Sequence, residues 1–327
     1  MSSKNVAVVG VTGAVGQEML DVLDARNFPL SGIRPLASER SAGKTVQFKG
    51  EDLPVEVLGP DSFSGVDLAL FSAGASISRE YAPLAVDSGA VVVDNSSAFR
   101  MDPEIPLVVP EVNSAAIAGH QGIIANPNCS TIIMVVALQP IQELSPLTRI
   151  VVSTYQAASG AGAKGMDALR RELAGEQLDD SPFPHRLAGN LVPRIDVVQD
   201  NGYTKEELKM TLETRKIMGL GQVPISATCV RVPVERAHSE SIQVSTESPL
   251  DISTIREAFE KAPGLQVIDD PHDDRYPTPL QAADQDDVFV GRLRQHPDEA
   301  STYDFWVVGD QIRKGAALNT VQIAEEL

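Results

Sequence analysis

The first 130 residues alternate short apolar runs with segments in which apolar side chains recur every three or four positions. The run Asn5–Gly10 predicts a buried strand, and the apolar spacing within Ala14–Ala25 predicts a helix directly after it. Similar apolar runs predict three more strands, over Ile33–Ala37, Leu68–Ser72 and Ala90–Asp94. A helical spacing predicts one more helix, over Ser78–Ser88. Such alternation favours a parallel sheet covered by helices on both faces.

From about Thr148 onward the apolar and polar positions alternate over longer runs. The strands predicted there are Arg149–Gln156, Ile225–Val232 and Ser241–Thr246, and the helices are Gly162–Ala174 and Lys205–Met218. This pattern predicts an α+β second domain with a mainly antiparallel sheet, so the whole chain is assigned to the α/β class. The segment Asp269–Asp287, rich in Asp and Pro, is predicted to be a long surface loop, and Gln311–Glu326 a terminal helix.

Composition and charge narrow the class of protein. A chain of 327 residues is too long for one ordinary core, so two domains are expected. The 45 Asp and Glu residues outnumber the 27 Lys and Arg residues, and the net charge of −18 argues against sequence-independent binding of nucleic acid. The sequence opens directly on a strand pattern and has no apolar stretch of the ~20 residues that a membrane span needs, so the cytoplasm is the expected compartment.

A glycine pattern follows the first predicted strand. The residues from Gly10 to Gly16 read GVTGAVG, a spacing related to the dinucleotide-binding fingerprint. The match stands between a strand and a helix, which is the context that gives it meaning. Its glycines permit a tight turn, a close approach of backbone amides to a pyrophosphate, and close packing of the helix on the strand. A dinucleotide site is therefore predicted at this turn.

The segment after the second predicted strand bears on the choice between NADP and NAD. An NAD site usually places an acidic residue there to hold the ribose 2′-hydroxyl. Here Ser38, Arg40, Ser41 and Lys44 offer hydroxyls and positive charge, which suit a 2′-phosphate, and Glu39 is the contrary feature. We therefore favour NADP; the alternative interpretation is a solvated polar loop.

Cys129 stands in the polar stretch NPNCST between two apolar runs. If the second run, Thr131–Gln139, is a helix, the thiol lies in its capping turn beside unpaired N–H groups. Such a position favours the reactive thiolate, and the same N–H groups can stabilise an oxyanion. We therefore predict that Cys129 attacks an aldehyde carbonyl and carries a thioester after hydride transfer. The alternative, an inert buried thiol, fits Cys229 within the apolar run ISATCVRV.

A thiolate catalyst needs a partner for proton transfer, and the chain has five His residues. His238 follows the segment VPVERA and precedes a predicted strand, a loop position where functional groups concentrate. It is therefore a candidate acid/base, while His185 is ambiguous and the other three stand in turn-like contexts. No HxxxH, HExxH or Cys/His cluster is present, so no metal site is predicted.

Six motifs in chain order carry a resemblance to a known family: GVTGAVG, DNSSAFR, NPNCST, YQAASGAG, KEELK and RVPVERAHSE. Together they resemble the aspartate-β-semialdehyde dehydrogenases nearly from end to end. The resemblance implies a Rossmann-type NADP-binding domain over residues 1–129 and 308–327, with the terminal helix packed back on it. It also implies a catalytic and dimerisation domain over residues 130–307, similar to that of glyceraldehyde-phosphate dehydrogenases.

The activity that this resemblance implies is the reversible, NADP-dependent reductive dephosphorylation of L-4-aspartyl phosphate to L-aspartate 4-semialdehyde. The implied enzyme is a homodimer on the route to lysine, threonine and methionine. Three catalytic roles are implied: Cys129 as the nucleophile, Gln156 as the group that orients the substrate, and His238 as the acid/base.

Substrate recognition is implied for charged groups elsewhere in the chain: Arg231 for the α-carboxylate, Glu206 for the ammonium, and Lys209, Arg100 and Asn128 for the phosphate. Glu206 and Lys209 lie three apart on a predicted helix and so share a face. Without the resemblance they would be interpreted as a surface ion pair, and Arg100 as a solvated loop cation.

The resemblance also implies which residues hold the cofactor. They come from the glycine turn, the loop after the second strand, the end of a later strand, the turn after YQAAS and the terminal helix: Gly10, Thr12, Gly13, Ala14, Val15, Ser38, Arg40, Ser41, Ser72, Ala73, Gly74, Gly160, Gly162 and Asn319.

Two alternative functions stay open. An N-acetyl-γ-glutamyl phosphate reductase runs the same acyl-phosphate chemistry, but its substrate has no ammonium, so Glu206 would have no purpose. A non-catalytic paralogue with a binding role would be expected to lack the nucleophile or the base, and both Cys129 and His238 are present.

Overall fold

The computed structural model of the protein describes residues 2–327, which divide into two compact units. The first unit holds the chain up to Asn128 together with Ala316–Leu327, and the second holds Cys129–Gly315. The chain therefore leaves the first unit at the peptide bond between Asn128 and Cys129.

The first unit is built on a six-stranded, wholly parallel sheet. In chain order its elements up to Asn128 are β1 (Lys4–Val9), α1 (Ala14–Ala25), β2 (Leu30–Ala37), β3 (Thr45–Phe48), β4 (Glu51–Pro54), β5 (Glu56–Val57), β6 (Leu68–Phe71), α2 (Ala75–Asp87), β7 (Val91–Asp94), α3 (Pro110–Asn113) and β8 (Ile123–Ala125). The strand order is β5-β2-β1-β6-β7-β8, and β3 and β4 form a separate hairpin.

Strand β1 shows why the sheet is covered on both faces. Val6 and Val8 belong to a core cluster that includes apolar residues of α1, whereas Ala7 and Val9 belong to a second cluster with apolar residues of α2. Successive side chains of a strand point to opposite faces, so an uninterrupted apolar run must be buried twice. The predicted parallel sheet is confirmed, and helix α1 has the bounds that its apolar spacing predicted.

The second unit begins with the helix that carries Cys129. Its elements are α4 (Cys129–Leu144), β9 (Leu147–Gln156), α5 (Gly162–Leu173), α6 (Lys205–Met218), β10 (Ile225–Arg231), β11 (His238–Thr246), α7 (Ile252–Lys261), β12 (Leu265–Val267), α8 (Pro279–Ala282), β13 (Val288–Gln295) and β14 (Thr302–Gly309). A last helix, α9 (Leu318–Glu325), belongs to the first unit and packs against α1, α3 and β7.

The sheet of the second unit is mixed, with the strand order β10-β9-β11-β14-β13-β12. Its three central pairings are antiparallel, and the two outer ones are parallel. Burial alternates along β9, where Ile150, Val152 and Thr154 are buried and the residues between them are half-buried. The α/β class and the mainly antiparallel second sheet are confirmed.

Several predicted element bounds were wrong. Helix α4 begins at Cys129 rather than at Thr131, and β11 begins at His238, which therefore starts a strand instead of lying in a loop. The terminal helical segment begins at Arg313, as a π-helical turn that leads into α9. The predicted loop Asp269–Asp287 contains α8 and a 3₁₀ turn, and it buries Ala282 because that side chain joins a small apolar cluster.

Candidate active site

The turn after β1 has the geometry of a phosphate cradle. Gly10 has a φ of +85°, and a Cβ there would lie 3.0 Å from the carbonyl carbon of Ser72. A Cβ on Gly16 would overlap the carbonyl oxygen of Gly10, so the helix can approach the turn this closely only with glycine at that position. Gly13 is the N-cap of α1 and has no side-chain capping bond, which leaves the helix N-terminus open to an anion. Glycine is therefore required here for the reasons that the sequence pattern suggested.

A cavity of about 470 Å³ opens beside this turn, at the carboxyl ends of the parallel strands. Its lining residues come from the glycine turn and from four neighbouring segments: Val9, Gly10, Thr12, Gly13, Ala37, Ser38, Glu39, Val57, Leu58, Ala73, Ile77 and Tyr81. The part of this wall from Val57 to Tyr81 is mainly apolar, which suits the planar base of a nucleotide. We did not predict Leu58, Ile77 or Tyr81, because no motif marks an apolar contact to a cofactor.

The predicted cofactor residues of the second loop differ in their surroundings. Ser38 lines the cavity, but so does Glu39. Arg40 is exposed and is not among the lining residues. Ser41 is buried, and its hydroxyl lies 3.2 Å from the hydroxyl of Thr12, which ties this loop to the glycine turn.

The other predicted cofactor residues in the first unit lie on the same edge of the sheet or in the terminal helix. Ala14 and Val15 open α1, Gly74 is the N-cap of α2, and Ser72 donates a hydrogen bond to the carbonyl of Gly10 at 3.3 Å. The side chain of Asn319 in α9 is fully buried and donates to the carbonyl of Val108 and to Oδ1 of Asn126.

Arg100 is not the solvated cation that its loop position would suggest. It is buried, its Nε donates to the carbonyl of Asn126 at 2.9 Å, and one terminal nitrogen donates to the carbonyl of Asn95. Asn128 is buried as well. A guanidinium that is held by backbone carbonyls is fixed in direction, which suits it to bind an anion.

Cys129 is the first residue of α4 and is partly exposed. Gly315 packs directly on it, because a Cβ on Gly315 would lie 2.9 Å from the Cβ of Cys129. The other cysteine, Cys229, is fully buried in β10, and burial raises the pKa of its thiol. Of the two thiols, only Cys129 is therefore placed for chemistry.

A chain of polar contacts starts at the end of β9. Nε2 of Gln156 donates to Oε1 of Glu206 at 3.3 Å, and Nζ of Lys209 lies 3.0 Å from both Oε2 of Glu206 and Oδ2 of Asp196. Burial lowers the pKa of Lys209, but the two carboxylates outweigh that effect and raise it. Glu206 is only 5% exposed, so the pair is not a surface ion pair. Asp196, which we did not predict, comes from an irregular loop without a motif.

Arg231 ends β10 and is buried. One terminal nitrogen donates to the carbonyl of Ala157 at 2.5 Å, and the guanidinium lies 5.9 Å from the ring centre of Phe183. Burial lowers the pKa of Arg231, while Glu206 and Cys129 act in the opposite direction. The predicted nucleophile and the predicted ammonium-binding carboxylate therefore both interact electrostatically with this cation.

His238 is fully buried. Its Nδ1 accepts a hydrogen bond from the backbone N–H of Ala157 at 3.0 Å, and its Nε2 has no hydrogen-bond partner among residues 2–327. A Cβ on Gly160 would lie 3.2 Å from Nε2 and 2.6 Å from a terminal nitrogen of Arg231, so the absent side chain gives both groups room. Burial and the charge of Arg231 lower the pKa of His238 well below 6.5, which keeps the imidazole neutral. Gly162, also predicted, opens α5 with a φ of +73°.

One buried carboxyl lies two residues further along β11. Glu240 is fully buried, and neither of its carboxyl oxygens has a hydrogen-bond partner among residues 2–327. It pairs with Thr154 across the sheet and shares the face of the strand that His238 occupies. Burial raises the pKa of Glu240 well above 4.5, which favours the protonated acid in the folded protein.

Replacing Glu240 with Gln is expected to change the pH dependence of stability. Because the pKa of Glu240 is raised in the native state, the unfolded chain loses this proton at lower pH, and the contribution of Glu240 to the free energy of unfolding falls by at most about 1.4 kcal/mol per pH unit as the pH rises above 4.5. The amide does not titrate, so the variant lacks this contribution and gains relative stability as the pH rises. Urea unfolding at several pH values between 4.5 and neutrality checks this difference.

The matched control is Glu207→Gln in α6, whose carboxylate is buried but accepts bonds from the N–H groups of Thr204 and Cys229. Its replacement should lower stability through the loss of these hydrogen bonds. An unchanged pH slope in the Glu240→Gln variant would mean that Glu240 is ionised in the folded protein.

No group of three or more His, Cys, Asp or Glu side chains among residues 2–327 is arranged to hold a metal ion. None of the helices there is both long and apolar enough to cross a bilayer.

The two units match the two parts of one class of enzyme. The profile described as "Semialdehyde dehydrogenase, NAD binding domain" matches residues 5–120, and the one described as "Semialdehyde dehydrogenase, dimerisation domain" matches residues 138–314. Fold and site thus define an oxidoreductase of the semialdehyde dehydrogenase class.

Relatives and solved structures narrow this class. The chain is 51% identical over 326 residues to the aspartate-semialdehyde dehydrogenase of Synechocystis, covering 98% of this chain and 96% of that one. It superposes with a TM-score of 0.96, at 46% identity, on aspartate semialdehyde dehydrogenase II from Vibrio cholerae in complex with ASA, over 100% and 98% of the chains. The Candida albicans enzyme, solved with NADP, gives a TM-score of 0.79 at 26% identity, over 100% and 98%. The chain belongs to the aspartate-semialdehyde dehydrogenase family.

Proposed function

We propose that this protein catalyses the reversible, NADP-dependent reductive dephosphorylation of L-4-aspartyl phosphate to L-aspartate 4-semialdehyde. The observation that carries the proposal is that the buried Arg231 interacts electrostatically with both Glu206 and Cys129. An amino-acid substrate presents an ammonium and an α-carboxylate together, and this site offers one acid and one guanidinium for them. Through this reaction the enzyme would serve amino-acid biosynthesis, on the route to lysine, threonine and methionine.

The cofactor fits the first unit. The cradle between Gly10 and Ser72 has no room for a Cβ, which is the close backbone approach that a pyrophosphate needs. When bound there, the dinucleotide supplies the acceptor or donor of hydride. Ser38, Arg40 and Ser41 would hold the 2′-phosphate. The carboxylate of Glu39, which also lines the cavity, would repel that phosphate. We propose NADP as the physiological cofactor, as in the neighbour solved with NADP.

The chemistry at the thiol follows from the position of Cys129. In the direction of aldehyde oxidation, the thiolate sulfur bonds to the aldehyde carbon and the carbonyl oxygen becomes an oxyanion. The N-terminal N–H groups of α4 and Nε2–H of His238 can stabilise that charge. Departure of hydride leaves a thioester on Cys129. A phosphate oxygen then bonds to the thioester carbon, the C–S bond breaks, and the thiolate is restored.

The remaining residues recognise the substrate. Arg231 would bind the α-carboxylate, Glu206 the ammonium, and Gln156, which already contacts Glu206, would orient the acyl group. For the phosphate we propose Lys209, Arg100 and Asn128. Gly160 and Gly162 would leave space beside the reacting carbon for the nicotinamide, and Asn319 would approach its amide.

The two compact units support a division of labour. We propose that the unit with the parallel sheet binds the cofactor and that the unit from Cys129 to Gly315 is catalytic and forms a homodimer. The match of this second unit to a dimerisation domain supports the homodimer. Because the reaction needs Cys129 as a free thiol, a reducing compartment such as the cytoplasm suits it.

The test is a spectrophotometric assay with aspartate semialdehyde, phosphate and NADP⁺. Reduction of NADP⁺ is expected only when phosphate is present, and more slowly with NAD⁺. Parallel assays with N-acetylglutamate semialdehyde distinguish this activity from that of an N-acetyl-γ-glutamyl phosphate reductase. Faster turnover of that analogue would reject aspartate semialdehyde as the substrate, and no turnover of either would favour a non-catalytic paralogue.

Glu206→Gln is expected to raise KM for aspartate semialdehyde much more than it lowers kcat. The amide keeps the shape of the side chain but loses the charge that holds the ammonium, and an interaction made equally in ground and transition states appears in KM. Steady-state kinetics over a range of semialdehyde concentrations measure the split. A large fall in kcat at unchanged KM would instead place Glu206 in the chemical step.

A further inference from the structure

Gln311 is a buried amide without a role in the reaction as described. It lies between β14 and the π-helical turn and is 3% exposed. Its Oε1 accepts a hydrogen bond from the backbone N–H of Ala237 at 2.9 Å, and its Nε2 donates to the hydroxyl of Ser159. One side chain thus joins two backbone segments that are far apart in sequence.

Both segments meet at His238. Ala237 immediately precedes it, is fully buried and has a φ of +70°, a conformation that an alanine adopts only when its surroundings impose it. Ser159 lies two residues after Ala157, whose N–H donates to the imidazole. The amide of Gln311 therefore clamps the backbone that carries the ring to the backbone that carries the ring's hydrogen-bond donor.

The hydrogen bond from Ala157 defines which ring nitrogen carries the proton. Nδ1 accepts from a backbone N–H, so in the neutral imidazole the proton is on Nε2. Protonation of Nδ1 would bring two hydrogens face to face. A terminal nitrogen of Arg231 lies beside the same Gly160, so its positive charge disfavours a second positive charge on the ring. Glu240 lies on the same strand face, but its raised pKa disfavours the negative charge that would offset this effect.

We propose that Gln311 is a positioning residue that holds His238 as the neutral Nε2–H tautomer, so that in the resting enzyme this imidazole is a hydrogen-bond donor. A neutral ring with its proton on Nε2 cannot take the thiol proton of Cys129 at that nitrogen, but it can donate to an oxyanion. The catalytic consequence rests on the proposed function, whereas the tautomer can be observed without turnover.

The experiment compares Gln311→Met, which removes both hydrogen bonds at similar side-chain volume, with Ser159→Ala, which removes only one. The matched control is Gln142→Met, which removes a bond to the backbone N–H of Leu147 near the other end of α4, about 20 Å along the helix from Cys129. Ring ¹⁵N chemical shifts of the histidines report the tautomer, and with five His residues the His238→Asn variant assigns the signal.

In the wild type and in Gln142→Met, His238 should show an unprotonated Nδ1. In Gln311→Met that signal should shift or broaden through tautomer exchange, and kcat should fall by about 10- to 100-fold at nearly unchanged KM. Ser159→Ala should give a smaller shift of the ring signal and a smaller fall in kcat. This variant therefore tests the proposal even if Gln311→Met does not fold. A protonated Nδ1 in the wild type would overturn the proposal, and so would a Gln311→Met enzyme with normal kcat and only lower thermal stability. Absence of turnover in the wild type, with the expected ring shifts, would reject the proposed function instead.

Discussion

Replacement of Cys129 with alanine is expected to remove phosphate-dependent reduction of NADP⁺, with a loss of about 10⁴-fold or more. The thiol forms the covalent bond on which both halves of the reaction depend, and no neighbouring group can replace it. NADP binding should be nearly unchanged, because the cradle at Gly10 belongs to the other compact unit. Initial rates and cofactor titration by fluorescence measure the two quantities separately.

The chain provides its own control for this experiment. Cys229 is fully buried, and its Sγ lies 3.8 Å from Sδ of Met210, so Cys229→Ala should lower stability but leave turnover in place. Iodoacetamide should label only Cys129 in the folded wild type. Activity of Cys129→Ala above background would reject Cys129 as the nucleophile. Turnover that persists after iodoacetamide has alkylated Cys129 would reject it as well.

His238→Asn is expected to slow the chemical step by about 10²–10⁴-fold, the usual range for a general acid–base group, because the variant loses the Nε2–H that donates to the oxyanion. The variant loses the only nitrogen of the ring that faces away from Ala157. Because burial and Arg231 lower the pKa of His238 well below 6.5, the ring stays neutral across the neutral pH range, and the size of the defect should not depend on pH there.

A stability measurement accompanies this prediction. Below pH 6.5 the unfolded chain takes up a proton at His238 that the native state does not bind, so this residue costs the wild type stability as the pH falls. The Asn variant should lack that acid sensitivity. His185→Asn, on the exposed surface, is the control for loss of an imidazole and should have the wild-type stability at neutral pH. Wild-type rates in His238→Asn would remove the residue from the mechanism.

The regular elements of the first unit were largely predictable from local pattern. The apolar run of β1 and the glycine turn after it depend on residues close in sequence, so spacing alone placed α1 with its correct ends. The start of β11 was not predictable in the same way. His238 is polar and follows a segment with Pro and charged residues, but pairing with Gly309 draws it into the sheet and into the core.

The residues of the candidate site also differ in whether local sequence is enough to predict them. Cys129 could be predicted from its local sequence and Arg231 from motif resemblance, because each stands in a short, distinctive segment. Gln311 could not be found in that way, since its hydroxyl partner Ser159 lies 152 positions away and neither residue is unusual for its local sequence. Glu240 was missed for a similar reason, because only the packed fold shows that its carboxyl has lost both water and partners.

The position of α9 has a consequence for biogenesis. Its residues Leu318, Val321 and Ile323 belong to the same core cluster as β1 and α1, and Glu325 forms a two-bond ion pair with Arg26. During synthesis the residues up to Asn128 therefore lack part of their core until α9 has left the ribosome, whereas all residues of the unit from Cys129 to Gly315 precede that helix in the chain. The unit from Cys129 to Gly315 can thus fold first, and the unit with the parallel sheet completes its core only after α9 has been synthesised.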